Sequence, residues 1–193
     1  MRKRKIILFF PSIEDGGVEK NFFIIANYLA SKQKNISLIT ASRNLKQKLR
    51  KINIIRPLFN IDHFSGRKIK YFYCLSILFV KLIFNRDVLV FSFQANVYCV
   101  LICKILGVKV IIRSNSSPEG WSKNYIKSII YKSIFPMANK IIVNSLDFKK
   151  NFEKKFKINA ECIFNPLNKN EIIKKSNRKN LKIFNPSKLK LIN

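Results

Sequence analysis

The chain has 193 residues, 48% of them hydrophobic, enough to bury the core of one full α/β domain and too few for two full-sized ones. That apolar content excludes a disordered basic tail. Lys and Arg number 38 against 10 Asp and Glu, a formal net charge of +28, which attracts nucleic acid, anionic lipid and phosphorylated small molecules alike and selects none of them.

The opening residues 1–5 are basic and residues 6–11 apolar, which superficially resembles a signal peptide. The apolar run is short and ends at Pro11, Glu14 and Asp15 with no small-residue cleavage site, so retention in the cytoplasm is expected. The nearly unbroken apolar run at residues 5–10 predicts a strand buried on both faces of a parallel sheet. A polar turn containing Gly16 and Gly17 follows, and then Val18, Phe22, Ile25, Ala26 and Leu29 recur at helical spacing. This is the pattern of a first βα unit in a doubly wound sheet, where ligands bind beyond the carboxyl ends of the strands. Gly16 and Gly17 can bring backbone N–H groups close to a phosphate or another anion. The spacing is neither GxGxxG nor a P-loop, so a plain strand-to-helix turn is the competing reading. Glu19 stands in the first helical turn, where a carboxylate complements the helix dipole or faces a ligand.

Further strands are predicted at residues 35–40 and 51–58, joined by a basic connector over 43–50. The only histidine, His63, lies in the region 60–67 with no cysteine or carboxylate cluster around it, which favours a solvated loop residue over a metal ligand. Residues 70–84 predict a helix. Lys81 interrupts the greasiest stretch, 69–84, which falls short of a bilayer span and reads as a core or membrane-surface helix. A strand at 87–93 and a helix at 97–106, closed by Gly107, come next. The strand at 108–113 places Arg113 at its carboxyl end. The loop at 114–122 carries Trp121 and many hydrogen-bonding groups, suited to ligand recognition or to an ordinary connection.

Ile126, Ile129, Ile130 and Ile134 predict a helix over the sheet that stops near Pro136. Residues 140–145 predict a strand, Phe148, Phe152 and Phe156 the core face of a helix, and residues 159–164 the last strand. Interleaved strands and helices of this kind predict a mostly parallel sheet covered on both faces. Beyond residue 168 the chain becomes a basic linker, with a strand-like stub at 189–193. Cys74, Cys99, Cys103 and Cys162 stand in apolar surroundings without a CxxC pair and read as core thiols in a reducing compartment.

The order of these features resembles the N-terminal domain of family 4 glycosyltransferases. The resemblance rests on the opening strand with Gly16-Gly17-Val18-Glu19, on Arg113 with its polar loop, on Ala138-Asn139-Lys140-Ile141-Ile142-Val143-Asn144-Ser145, and on Ile163-Phe164-Asn165-Pro166-Leu167. It covers residues 3–168. It implies an α/β, Rossmann-like, mostly parallel sheet as the acceptor-side domain of a GT-B architecture, spanning residues 1–168. Residues 169–193 then form a linker and the first strand of a donor-binding domain that this chain lacks and that could be separately encoded. The implied reaction is transfer of a sugar from a nucleotide-sugar to a cell-envelope glycan, lipopolysaccharide or lipid-linked acceptor at the inner face of the cell membrane. Gly16, Gly17, Glu19, Arg113, Asn144 and Ser145 become the substrate-binding candidates.

Many members carry a histidine near the end of the strand corresponding to residues 88–91. Here Ser92-Phe93-Gln94-Ala95-Asn96 stands instead, and no catalytic residue is assigned. No Asp-x-Asp pair suggests a metal, and no cofactor is indicated beyond the nucleotide-sugar substrate. Because the donor-binding residues of the family lie on the second domain, the resemblance also implies that this chain alone is catalytically incomplete. The competing reading is a non-catalytic basic module for nucleic acid or anionic membrane, based on tracts 46–51 and 174–182. Specific nucleic-acid recognition is disfavoured because the aromatic residues follow apolar periodicities and do not alternate with basic ones. Peripheral association with an anionic membrane is compatible with either reading.

Overall fold

The computed structural model describes residues 4–14, 16–43, 45, 49–61, 66–115, 125–167 and 173. Strand β1 (Lys5–Phe9) is followed by helix α1 (Gly17–Lys32), β2 (Ile36–Ile39), β3 (Asn53–Ile55), α2 (Arg67–Phe84), β4 (Val88–Ser92) and α3 (Asn96–Ile105). Then come β5 (Lys109–Ser114), α4 (Tyr125–Ile134) running into a 3-10 turn (Phe135–Met137), β6 (Lys140–Val143), α5 (Leu146–Phe156) and β7 (Glu161–Cys162). The seven strands form one sheet in the order β3-β2-β1-β4-β5-β6-β7, and every pairing is parallel. The order reverses between β1 and β4, which lie side by side with Phe9 opposite Ser92. That reversal opens a crevice at the carboxyl edge of the sheet.

The strand pleat sends alternate residues to opposite faces. Leu8 and Phe10 point to one face and join Phe22, Phe23, Ala26 and Ala30 of α1. Ile7 and Phe9 point to the other, where they share a core with Cys74, Leu78 and Leu82 of α2, Cys99 and Cys103 of α3, and Phe152 and Phe156 of α5. Helices therefore cover both faces, as expected, but unequally. Full burial of each of the Leu, Ile and Phe side chains contributes about 1.5–3 kcal/mol.

Three local expectations change. Strand β3 is limited to Asn53–Ile55, because Lys51 takes a left-handed φ of 57° and Pro57 has no N–H to offer a ladder. Strand β7 is only Glu161–Cys162. The largest correction concerns α4: its helix forms, yet Ile126, Ile129 and Ile130 face outward. Phe135, in the 3-10 turn beside Pro136, is the residue that enters the core, with the Tyr131 ring 5.0 Å from it. Both sides of α4 carry apolar groups, so periodicity finds the helix without saying which side meets the sheet.

All four cysteines are free, and Cys74, Cys99 and Cys103 are buried. Burial pushes the Cys74 thiol up to about 12, and a hydrogen bond with Cys99 together with burial raises Cys103, so these are unreactive core thiols. His63, residues 116–124 including Trp121, and the expected linker and stub at 169–193 lie outside the described residues, apart from Ile173.

Candidate functional site: a cleft at the strand-order reversal

The cleft is built from loops that fasten one strand end to the next. Gln94, just past β4, forms a two-bond clasp with the backbone of Ser12, just past β1. Its Nε2 donates to Ser12 O at 2.8 Å, and its Oε1 accepts from Ser12 N at 3.0 Å. The same loop is tied to the end of β2, where the Ser42 hydroxyl accepts from Ile13 N at 2.8 Å and Ala41 N donates to Pro11 O at 2.9 Å. Ser92 donates to Asn96 Oδ1 at 2.8 Å, and Asn96 Nδ2 donates to Arg113 O at 3.1 Å, linking β4, α3 and β5. Between them Ala95 holds a left-handed φ of 52° at the N-cap of α3, a conformation that costs a non-glycine residue about 1–3 kcal/mol and is common at ligand sites.

Within this frame lies a cavity of about 480 Å³. Glu19 enters from α1, Arg67 and Tyr71 from α2, Tyr98 from α3 and Tyr131 from α4. Arg113 and Asn115 close it from the end of β5. Burial raises the phenols of Tyr71 and Tyr131, so both stay neutral and present a ring face with a hydroxyl that can donate or accept. Aromatic faces, an amide and a carboxylate in one open crevice suit a polyhydroxylated ligand, and the guanidinium groups suit a phosphate. Among the described residues no group of three or more His, Cys, Asp or Glu could hold a metal ion.

Arg113 is buried at 2% exposure and acts mainly on its own protein. Its Nε donates to Asn115 Oδ1 at 3.3 Å, and its Nη2 donates to Ile163 O and Asn165 Oδ1, each at 3.1 Å. Removal from water lowers its pKa. The side chain thus joins the end of β5 to the segment after β7 while lining the cleft.

The rim is fixed by an ion pair between Glu14 and Arg67, whose Nε and Nη2 donate to the two carboxylate oxygens at 3.1 and 2.7 Å. The hydrogen bonds from Arg67 hold Glu14 below the usual carboxylate range and raise Arg67 in return. Both side chains are more than half exposed, so solvent screens the pair. Glu14→Gln is expected to cost under about 1 kcal/mol at neutral pH. A carboxylate with a lowered folded pKa stabilises above its unfolded value and loses that contribution as pH falls through the folded one. In urea titrations the difference between the variant and the parent should therefore shrink as pH falls below about 4 and vanish only once Glu14 is protonated in the folded state as well.

Of the residues singled out by sequence, Glu19 and Arg113 line the cleft. Gly16 is the N-cap of α1 with a φ of −174°, extended backbone that any residue adopts. A Cβ there would meet Glu19 Oε2 at 2.6 Å, so the glycine leaves room for the carboxylate. Gly17 begins α1, and a Cβ on it meets nothing within 4 Å. Gly17→Ala is accordingly expected to raise stability by about 0.5 kcal/mol in urea unfolding, because it restricts the unfolded chain without a clash. Asn144 and Ser145 sit past β6 and do not line the cavity. Ser145 caps α5, its hydroxyl accepting from Phe148 N at 3.1 Å. Asn144 Oδ1 is buried with no partner among the described residues.

Sequence reasoning missed Arg67, Tyr71, Tyr98 and Tyr131. Arg67 and Tyr71 are one helical turn apart at the start of α2, and Tyr98 lies in the first turn of α3. Tyr131 is the seventh residue of its helix, and no local motif marks any of the four.

A parallel sheet whose order reverses above a crevice of this kind defines a Rossmann-like α/β domain, the fold of GT-B glycosyltransferases. Anabaena Alr3699/HepE, solved in complex with UDP-glucose, shares it at a TM-score of 0.60 and 14% identity, over 91% of this chain and 50% of that one. Phytolacca americana UGT2, complexed with UDP-2fluoro-glucose and pterostilbene, superposes at 0.58 with 11% identity, over 92% of this chain and 58% of that one. The lipopolysaccharide outer core galactosyltransferase WaaB in its apo form gives 0.55 and 14%, over 86% of this chain and 46% of that one. The chain spans about half the length of these structures, and the likeness is one of fold. No family model matches the chain, and no curated protein matches it.

Proposed function

We propose that residues 1–168 are the acceptor-side half of a glycosyltransferase related to family 4, working with a nucleotide-sugar such as a UDP-hexose and a cell-envelope glycan or lipid-linked acceptor at the cytoplasmic face of the membrane. Residues 169–193 lead into, or meet, a donor-binding half. The observation that carries this reading is the cleft itself, because Glu19, two neutral phenols and Arg113 converge at the strand-order reversal of a fold shared with sugar transferases.

Glycosyl transfer requires an acceptor hydroxyl held close to the anomeric carbon in a water-poor cleft, and a leaving diphosphate stabilised by charge and backbone donors. Tyr71 and Tyr131 offer ring faces and hydroxyls to a bound sugar. Glu19 accepts from acceptor hydroxyls. The start of α1 at Gly16 and Gly17 presents backbone N–H groups to a diphosphate approaching across the cleft.

The test compares binding of neutral oligosaccharides, UDP-glucose and RNA by the 193-residue chain at low and high salt. Sugar binding that persists in high salt and is lost in Glu19→Gln and Tyr131→Ala supports the proposal. RNA binding with a sequence preference, together with no sugar binding, would favour the basic-module alternative, and its salt slope would count the phosphates engaged.

A further inference from the structure

Glu19 belongs to a chain with 38 Lys and Arg, yet its carboxylate stands unpaired in the cleft. Asp87 pairs with Arg4, Glu14 with Arg67, Glu153 with Lys149 and Glu161 with Lys140. Among the described residues Glu19 makes no hydrogen bond and no ion pair, although it lines the same cavity as Arg67 and the two charges feel each other. Two features of the surrounding structure account for this. The first is Gly16, whose φ of −174° and ψ of −179° place no demand for glycine on the backbone. A Cβ there would lie 2.6 Å from Glu19 Oε2 and 3.6 Å from Glu19 Cδ, and it would meet nothing else within 4 Å. A side chain at position 16 would therefore displace the Glu19 carboxylate and nothing more. Gly17 has no contact of this kind.

The second feature is Glu14. Arg67 sets its guanidinium fork on both Glu14 oxygens, Nε at 3.1 Å and Nη2 at 2.7 Å. That geometry is the favoured one for a guanidinium and a carboxylate. The Ser12 hydroxyl donates to Glu14 Oε1 at 3.2 Å, and the Ser12 backbone is itself gripped by Gln94. The strand-end clasp thus carries through Ser12 and Glu14 to Arg67. With its fork turned to Glu14, the nearest cleft cation is kept from neutralising Glu19.

We infer that Gly16 and Glu14 are positioning residues that keep the Glu19 carboxylate open to the cleft as an acceptor for a ligand's hydroxyl groups, Gly16 by leaving the space it occupies and Glu14 by holding Arg67 away. A carboxylate engaged by a guanidinium has few lone pairs left to offer. An unpaired one accepts from two neighbouring hydroxyls of a sugar ring. That the ligand is a sugar rests on the function proposed above, whereas the placement of the Glu14, Arg67 and Glu19 side chains does not.

The experiment has a ligand-free arm and a binding arm, both on the 193-residue chain. Without ligand, NMR couplings across the Glu19 Cα–Cβ bond and NOEs between the Arg67 and Glu19 side chains report where the carboxylate stands. Gly16→Ala should change those couplings without lowering the urea midpoint, because the atom it strikes is the end of a flexible side chain. Glu14→Ala should strengthen the Arg67 to Glu19 NOEs at least about threefold, as the released guanidinium turns to the remaining carboxylate. Unchanged Glu19 couplings in Gly16→Ala, or unchanged NOEs in Glu14→Ala, would overturn the inference. For binding, the probes are maltotriose, a neutral oligosaccharide, and UDP. Gly16→Ala and Glu14→Ala should each weaken maltotriose binding about tenfold, the worth of hydrogen bonds to a charged acceptor. Glu14→Ala/Arg67→Ala should bind it at least about threefold better than Glu14→Ala, since the neutralising cation is gone. A double variant weaker than Glu14→Ala would make Arg67 a direct contact and overturn the inference, as would a Gly16→Ala loss that falls more on UDP than on maltotriose. If the parent chain binds neither probe, the proposed function fails and the ligand-free spectra alone decide the positioning.

Discussion

Phe22→Ala is expected to lower the free energy of unfolding by about 4 kcal/mol, read as a drop in the urea midpoint at unchanged slope. Phe22 is fully buried in α1, where its ring lies edge-on to Phe10 at 4.8 Å and to Phe93 at 4.9 Å, with Phe23 at 5.6 Å. Phe10 and Phe93 follow directly on β1 and β4, Phe10 two residues before Ser12 and Phe93 one residue before Gln94, the two partners of the clasp. Truncation removes the apolar transfer energy of the ring and leaves a cavity under the point where the two strand ends are joined. The same variant should therefore weaken ligand binding in the cleft as well as global stability. Phe22→Leu, which keeps most of the volume, should cost much less, about 1–1.5 kcal/mol. A loss below about 1 kcal/mol for Phe22→Ala would show that α1 can collapse onto the sheet, contrary to the packing described.

The second large effect is expected at Arg113. Replacement by Met keeps the volume of the stem and removes the donors that satisfy Asn115 Oδ1, Ile163 O and Asn165 Oδ1. Hydrogen bonds to a charged group contribute about 1.5–3 kcal/mol each, and releasing a desolvated charge offsets part of their loss. A net destabilisation of about 2–3 kcal/mol follows. Arg113→Lys should recover less than half, because a single ammonium cannot span the separate acceptors that the planar guanidinium reaches. Hydrogen exchange at the Ile163 amide, which donates to Val143 O at 2.9 Å, should accelerate in both variants as the segment after β7 loosens. A neutral or stabilising Arg113→Met would mean that burying the charge costs more than its bonds return.

The parallel sheet was legible in sequence because strands buried on both faces read as unbroken apolar runs, clearest at Ile6 to Phe10 and at Ile141 to Val143. The βα unit around Gly16 and Gly17 was legible because a helical period begins directly after the turn. Glu19 and Arg113 could be placed near the cleft from their positions at a helix start and a strand end. The other half of the site was hidden for a physical reason: Arg67, Tyr71, Tyr98 and Tyr131 come from three helices whose convergence depends on strand order, a tertiary property with no local signature. Gln94 and Asn96 were noted only as standing where a histidine was absent, whereas their amides join the strand ends. Asn144 and Ser145 looked equivalent to Arg113 as polar strand-end residues, yet Ser145 is occupied as the cap of α5. The outward isoleucines of α4 were misplaced because helical spacing identifies a stripe and leaves its direction open.

The most direct test of a sugar-handling cleft is a ¹H–¹⁵N correlation titration of the 193-residue chain with UDP-glucose and with neutral oligosaccharides. Saturable shifts are predicted for the amides of Glu19, Asn96, Tyr98, Asn115 and Tyr131, with little change in β3 or α5. Shifts confined to lysine-rich surfaces, or none at the cleft up to millimolar ligand, would contradict it.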